Sequence, residues 1–297
     1  MISILIPIYN RNATKLVDDL RKQLEETGVL YEIVAFDDGS EEKTLLENAA
    51  LGQKKGIRYE ICGVNRGRSI IRNQLAEAAK YETLLFLDCD SEIDNPSFIA
   101  TYLKHIESEV VCGGTHYSPA ENTKDTALHW KFGLFREALN AEKRKKAPWL
   151  TFKTNNFMIK RSILKKVKFD EEIKAYGYED VVFAEALKDE GIVVKHIENT
   201  VIHKGLETNT LFLNKTKVSL GNLAELLKRR KIKSTRLSEF YYRWRWMLTI
   251  LEGLSILYPL EKRIYQLLEQ GNSRLWLFDV WKLMVFHQKL KSLPKIR

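Results

Sequence analysis

Cysteine is scarce in this chain: Cys62, Cys89 and Cys112 are the only ones in 297 residues. An odd number at scattered spacing builds neither a disulfide framework nor a zinc site, so reduced thiols in a cytosolic setting are expected. Long apolar runs are missing too. No stretch approaches the ~18 residues that a spanning helix needs. The N-terminus, MISILIPIYN, lacks a basic segment and a small-residue cleavage site, and it reads as a strand, not a signal peptide. Neither G-x-G-x-x-G nor G-x-x-x-x-G-K-[ST] occurs, which excludes the Gly-rich phosphate loops. There is no internal repeat, no low-complexity segment and no recognised nucleic-acid-binding motif. Nucleic acid is therefore not expected as a partner, despite a net charge of +9.

What is present is ordinary in bulk and uneven in detail. With 44% hydrophobic and 29% charged residues, the chain can bury a large core. Residues 206–297 hold 18 Lys/Arg and 7 Asp/Glu, a net of +11. Residues 1–205 hold the remaining 30 basic and 32 acidic residues, a net of −2. This asymmetry sets an expected boundary near residue 205, with a catalytic domain over 1–205 and a basic, mainly helical region over 206–297.

The N-terminal part alternates strand and helix. Ile2–Ile6 reads as a strand closed by Pro7, and a helix over Thr14–Thr27 follows, stopped by Gly28. Tyr31–Phe36 is a second strand, with Ser40 positioned to cap the next helix. Ile57–Cys62 is a third strand, Ser69–Lys80 a helix, and Thr83–Leu87 a buried strand with no helical period. Such alternation predicts an α/β fold, a mostly parallel sheet with helices on both faces. Beyond Asp94 the pattern predicts a helix over Pro96–Ser108, a short strand over Val110–Cys112 and one long helix over Asp125–Lys146. The last carries Leu128, Phe132, Phe135 and Leu139 on one side and ends in a basic cluster. A strand over Asn155–Ile159, a helix over Tyr178–Lys188, a strand over Ile192–Ile197 and Val201–Ile202 before His203 complete this part. Pro259 and Gly271 divide the helical remainder.

Two strands run straight into acid. Tyr31–Phe36 ends in Asp37-Asp38-Gly39-Ser40, and Thr83–Leu87 ends in Asp88-Cys89-Asp90. In open α/β sheets ligands sit outside the carboxyl ends of the strands. Acids one residue apart at such an end can share a hard divalent cation, which in turn holds substrate phosphates. A turn with a helix cap accounts equally well for Asp38. Asp37 is better read as functional.

The order of these motifs resembles a non-processive bacterial family 2 glycosyltransferase with the GT-A fold. The residues carrying the resemblance are Pro7-Ile8-Tyr9-Asn10, Asp37–Ser40, Asn65-Arg66-Gly67 with Arg72-Asn73, Asp88–Asp90, Asn155–Arg161 and Gly177–Asp180. It covers roughly residues 1–205. It implies a GT-A nucleotide-diphospho-sugar transferase sheet, Rossmann-like, and inverting hexosyl transfer from a nucleotide sugar, UDP-linked, to a saccharide or lipid-linked saccharide, as in bacterial surface polysaccharide synthesis. Pro7, Tyr9 and Asp37 would line base and ribose, with Asp38 beside them. Arg72 and Arg68 would meet diphosphate or sugar. Asp88 would touch ribose or a metal-bound water. Asp90 would hold Mn²⁺ or Mg²⁺, and His203 would complete the shell. Asp180 would be the general base, with Glu179 beside it. The Gln-x-x-Arg-Trp signature of processive synthases is missing near Trp149, which argues against polysaccharide synthase activity. A catalytically inactive nucleotide-sugar or acceptor binding module is the alternative.

Residues 228–246, KRRKIKSTRLSEFYYRWRW, set a basic cluster before aromatic and Arg residues. An anionic membrane surface is one expected partner, which would place a cytoplasmic protein peripherally on the inner face of the cell membrane. A helical cap with buried tryptophans is the other reading.

Overall fold

The computed structural model describes residues 1–294. The chain packs into two compact units. The first takes Met1–Tyr117, Glu137–Lys174 and Glu179–Gly205. The second takes Ser118–Arg136, Ala175–Tyr178 and the chain from Leu206 onward.

The first unit is built on a seven-stranded sheet. Its strands are β1 (Ile2–Ile8), β2 (Tyr31–Asp37), β3 (Ile57–Ile61), β4 (Thr83–Leu87), β6 (Val110–Cys112), β8 (Asn156–Lys160) and β9 (Val194–His196), in the order β3-β2-β1-β4-β8-β6-β9. β8 runs antiparallel to both neighbours and the other pairs are parallel, so the expected mostly parallel sheet is present. A second sheet joins β5 (Ser91–Glu92), β10 (Val201–His203) and β7 (Thr115–His116).

The apolar strands alternate between two cores, which explains why they show no polar face. Ile4, Ile6, Leu85 and Leu87 point into the core covered by α1 (Thr14–Thr27) and α4 (Phe98–Leu103). Leu5, Val34, Leu84 and Phe86 point into the other, under α3 (Arg68–Ala78), α7 (Arg161–Lys166) and α8 (Glu179–Asp189). There Phe86 stacks on Phe157 at 4.9 Å and Phe169 on Phe183 at 4.1 Å. Each buried ring contributes about 1.5–3 kcal/mol.

Several boundaries differ from those read in the sequence. Pro7 does not close β1. Even-numbered residues of β1 bond to β2, so Pro7 faces β4, whose pairing with β1 stops at Leu5. With no N–H to give, Pro7 stands where that pairing ends. Ser40 does not cap α2 (Glu42–Asn48), because its hydroxyl accepts the Asn10 N–H at 2.8 Å. The helix expected over Pro96–Ser108 is helical only over Phe98–Leu103.

The long helix expected over Asp125–Lys146 is three pieces: α5 (Ala127–Phe132), a π turn over Gly133–Glu137, and α6 (Ala141–Lys145). Asn140 starts α6 afresh, its side chain accepting the Lys143 N–H. Arg144 of the basic cluster is buried. Its guanidinium donates to the carbonyls of Cys112, Leu139, Gly113 and Ile197 and meets His196 Nδ1 at 3.0 Å.

The second unit is helical, built on α5, α9 (Asn209–Lys228), α10 (Arg236–Gly253), α11 (Leu257–Glu269) and α12 (Leu275–Ser292). Trp281 is fully buried here, donating its indole N–H to Glu261 at 2.7 Å. Pro259 does not divide helices. It sits in the first turn of α11, where a helix has no use for the N–H. The break falls at Leu254–Ile256.

Candidate active site

Three neighbouring strands, β2, β1 and β4, deliver their carboxyl ends to one edge of the sheet. Pro7 and Tyr9 come from β1, Asp37 and Asp38 from β2, and Asp88–Asp90 from β4. β8 runs the other way, with Asn156 beside Leu87, so the segment entering it, with Lys153 and Asn155, arrives at the same edge. Asn155 fastens it there: its carbonyl accepts the Asp88 N–H at 3.0 Å.

The β2 acids shape backbone. Asp38 accepts the N–H groups of Arg66 and Gly67 at 2.8 and 3.0 Å, holding the loop that leads into α3. Burial raises its pKa against those bonds. Asp37 is fully buried and accepts the Ser40 N–H at 2.8 Å, with the Tyr59 hydroxyl at 3.4 Å. Burial and Asp37 push the Tyr59 phenol up to about 12. Gly39, at φ +79°, lies against this loop; a Cβ there would stand 2.5 Å from the Asn65 nitrogen. Tyr9 is half exposed, its ring free to stack on a planar group.

The β4 acids divide. Asp88 accepts from Arg72 Nη2 at 2.8 Å. Arg72 is 2% exposed, and its other terminal nitrogen stands 3.6 Å from Glu179, which is 6% exposed. Arg68 approaches Glu179 at 3.3 Å. One buried guanidinium thus bridges β4 and the start of α8. Burial raises the pKa of Asp88 in spite of Arg72. Asp90 faces elsewhere. His203 pairs with Ser91 across the β10–β5 ladder, the Lys204 N–H donates to the Asp90 carbonyl at 2.8 Å, and His203 Nδ1 stands 3.6 Å from the Asp90 carboxylate. Burial alone would raise Asp90, but His203, helped by Arg11 and Arg68, holds it below the usual carboxylate range. Cys89, between the acids, is pushed up to about 12 by burial and by Asp90, so it is a poor nucleophile.

Among the described residues no three His, Cys, Asp or Glu side chains converge on one point. Asp90 and His203 nevertheless suit a divalent ion that takes its remaining ligands from diphosphate oxygens and water. A mixed oxygen and imidazole set suits Mn²⁺ better than Mg²⁺, which prefers oxygen alone.

Asp180 opens α8 with its Oδ1 accepting the N–H of Val181. Its other oxygen is held by Lys153 Nζ at 3.1 Å. Burial alone would raise Asp180, but Lys153 and Arg72 bring it below the ordinary aspartate range. Asp180 in turn raises Lys153. Lys153 also lies 3.9 Å from Glu137, which accepts from the Tyr117 hydroxyl. Sequence reasoning missed Lys153, Glu137, Tyr117 and Arg11. The one available signal was a lysine just before Asn155-Asn156. Arg11 donates to the Gly205 carbonyl at 2.8 Å, next to the His203 strand.

Residues 3–168 match the model of the family described as glycosyl transferase family 2. The chain belongs to that family. Two curated family relatives are chondroitin synthases. That of Pasteurella multocida (strain Pm70) is 26% identical over 239 residues, covering 66% of this chain and 24% of its own length. That of Escherichia coli is 24% identical over 245 residues, covering 68% and 34%. The chain thus spans less than two thirds of the length of the curated relatives it matches. Among solved structures, the mannosyltransferase PcManGT from Pyrobaculum calidifontis, in complex with GDP-Man and Mn²⁺, aligns with a TM-score of 0.56 at 13% identity. It covers 98% of this chain and 87% of that one. S. aureus TarS 1-349 aligns at 0.52 with 17% identity, covering 98% and 90%. A complex of the same protein with UDP-GlcNAc aligns at 0.51 with 16% identity, covering 98% and 90%. The fold of this family 2 chain is GT-A, as the motif order implied.

Proposed function

We propose that this chain transfers a sugar from a nucleotide sugar to a hydroxyl of a saccharide or lipid-linked saccharide, with inversion and with help from Mn²⁺ held by Asp90 and His203. The observation that carries the reading is the pairing of functions at one sheet edge. One acid, Asp90, faces an imidazole, and a second, Asp180, is kept ionised by a lysine. Family membership and the nucleotide-sugar complexes of TarS and PcManGT support the donor class. They differ in base and sugar, so UDP is the reading of the motif resemblance and not of the neighbours.

In the reaction, the bond from the anomeric carbon to the diphosphate breaks as a bond to the acceptor oxygen forms. Asp180 takes the acceptor's proton, general-base help worth ~10²–10⁴-fold. One base and one displacement invert the anomeric centre. A bound Mn²⁺ would supply Lewis-acid neutralisation of the leaving diphosphate. Arg68 and Arg72 add fixed positive charge on the same side, and Tyr9 offers a ring to the base.

The test is a panel of nucleotide sugars with the purified chain and Mn²⁺, scored by released nucleoside diphosphate. Asp180→Asn should lose ~10²-fold or more in transfer while donor binding holds. Asp90→Asn should lose Mn²⁺-dependent turnover. Turnover undiminished by EDTA would overturn the metal's part. Donor binding without turnover on any acceptor would leave a binding module.

A further inference from the structure

Nine large hydrophobic side chains within residues 240–258 are exposed, by 39% to 68%. Along α10, Phe240, Trp244, Met247, Ile250 and Leu254 recur every three or four residues, which aligns them as one stripe on an 18-residue helix. Tyr241 and Leu248, on the other side, hold the helix to its own unit. The Tyr241 hydroxyl meets His287 Nδ1 at 3.0 Å, and its ring packs edge-on against Phe286. The outward stripe is therefore an additional surface and not the core face of the helix.

Charge around the stripe is sorted. Residues 228–263 contain ten Lys/Arg and three acids, Glu239, Glu252 and Glu261. All three acids are engaged within the unit: Glu239 accepts from Ser234, Glu252 pairs with Lys291 and His287, and Glu261 accepts from Trp281. Arg236 and Arg243 lie in or beside the stripe, whereas Arg245 falls on the Tyr241 side of the helix, away from it.

We propose that α10 is an interfacial helix, laying its Phe240–Leu254 stripe into the surface of an anionic bilayer with Arg236 and Arg243 on the headgroup phosphates. Trp and Arg alternating along one exposed helix suit the boundary between acyl chains and headgroups. No helix among the described residues is long and apolar enough to cross a membrane, so the contact is in plane. A second copy of the chain fits less well: a two-fold contact would set this cationic face against itself. The structure also moves the contact away from Lys228–Lys231. Lys228 ends α9 half-buried, and Arg229 is paired with Glu225. The inference does not depend on the proposed reaction, and its test needs no turnover.

The test is flotation of the full chain with phosphatidylcholine vesicles, with and without phosphatidylglycerol. Binding should need phosphatidylglycerol and weaken with salt. Trp244→Gln with Trp246→Gln, exposed positions at which the circular dichroism should not change, should cut vesicle affinity on the order of tenfold. The same pair should abolish fluorescence quenching by brominated phosphatidylcholine mixed with phosphatidylglycerol, although four of the six tryptophans remain. Neutralising Arg236 and Arg243 to Gln should weaken binding more than neutralising Lys228, Arg229, Arg230 and Lys231. Three outcomes would overturn the proposal: binding to neither vesicle, equal binding to both, or self-association in lipid-free buffer that the tryptophan pair abolishes.

Discussion

At the residue scale, the candidate site rests on two cations set among acids, Arg72 buried and Lys153 half exposed. Arg72 serves Asp88 and Glu179 together. Arg72→Met would take from Asp88 its guanidinium partner and leave the buried Glu179 with Arg68 alone. It should cost about 3–5 kcal/mol, read as a lower urea midpoint with an unchanged slope. An unchanged midpoint would mean that solvent already serves these acids. Lys153 works on reactivity instead. Asp180 is depressed, so it stays ionised, and active as a base, until the pH falls through that low value. The acid limb of kcat/KM should therefore lie below the usual aspartate value of about 3.9. Lys153→Met leaves burial unopposed by its main cation, and the limb should move up. A limb that does not move would place the base elsewhere. Glu137, Glu179 and Arg72 also face this pair, and the three remain in the variant.

At the element scale, the interrupted stretch from α5 to α6 matters most. Periodicity suggested one helix because Leu128, Phe132, Phe135 and Leu139 fall at helical spacing. They serve different surroundings, however. Leu128 is buried in the helical unit, whereas Phe135 is exposed. The restart at Asn140 lets α6 insert Arg144 among three carbonyl groups at the ends of β6 and β9 and that of Leu139. The Cys112 and Gly113 carbonyls also accept the Ile197 and Asn199 N–H groups, so Arg144→Met would strand chiefly those of Leu139 and Ile197, at about 1–3 kcal/mol for each that water cannot reach. A total loss of about 2 kcal/mol or more is expected from denaturant titration, and a loss under about 1 kcal/mol would mean that the carbonyls hydrate freely. β10 is the second decisive element. It is three residues long, yet its pairing with β5 brings His203 to Asp90.

At the scale of the whole molecule, charge and packing divide the chain differently. Charge changes near residue 205, whereas packing assigns Ser118–Arg136 and Ala175–Tyr178 to the helical unit. Within that unit His129 stacks on Phe212 at 4.4 Å, Phe132 meets Phe278 edge-on at 5.7 Å, and Asn209 accepts the Leu128 N–H. A fragment of residues 1–205 would carry this segment without α9 and α12. It should bind a hydrophobic dye through the uncovered α5 segment and self-associate, a segment that the full chain keeps covered. A monodisperse fragment that leaves the dye dark would show that the segment finds other cover.

The sequence by itself determined the alternation of strands and helices, the acids at two strand ends and the order of motifs, because periodicity and strand-end chemistry are written along neighbouring residues. It also determined which third of the chain carries the excess positive charge. Only the tertiary structure decided that Asp38 holds a loop, that Arg72 joins Asp88 to Glu179, that Lys153 grips Asp180 and that His203 meets Asp90. Those contacts join residues far apart in the chain, and no local pattern records which distant side chain a carboxylate will meet. The tryptophans divide in the same way. Composition counted them together, and packing buried Trp281 while turning Trp244 and Trp246 outward, since only the neighbouring helices decide which face of an aromatic helix is left uncovered.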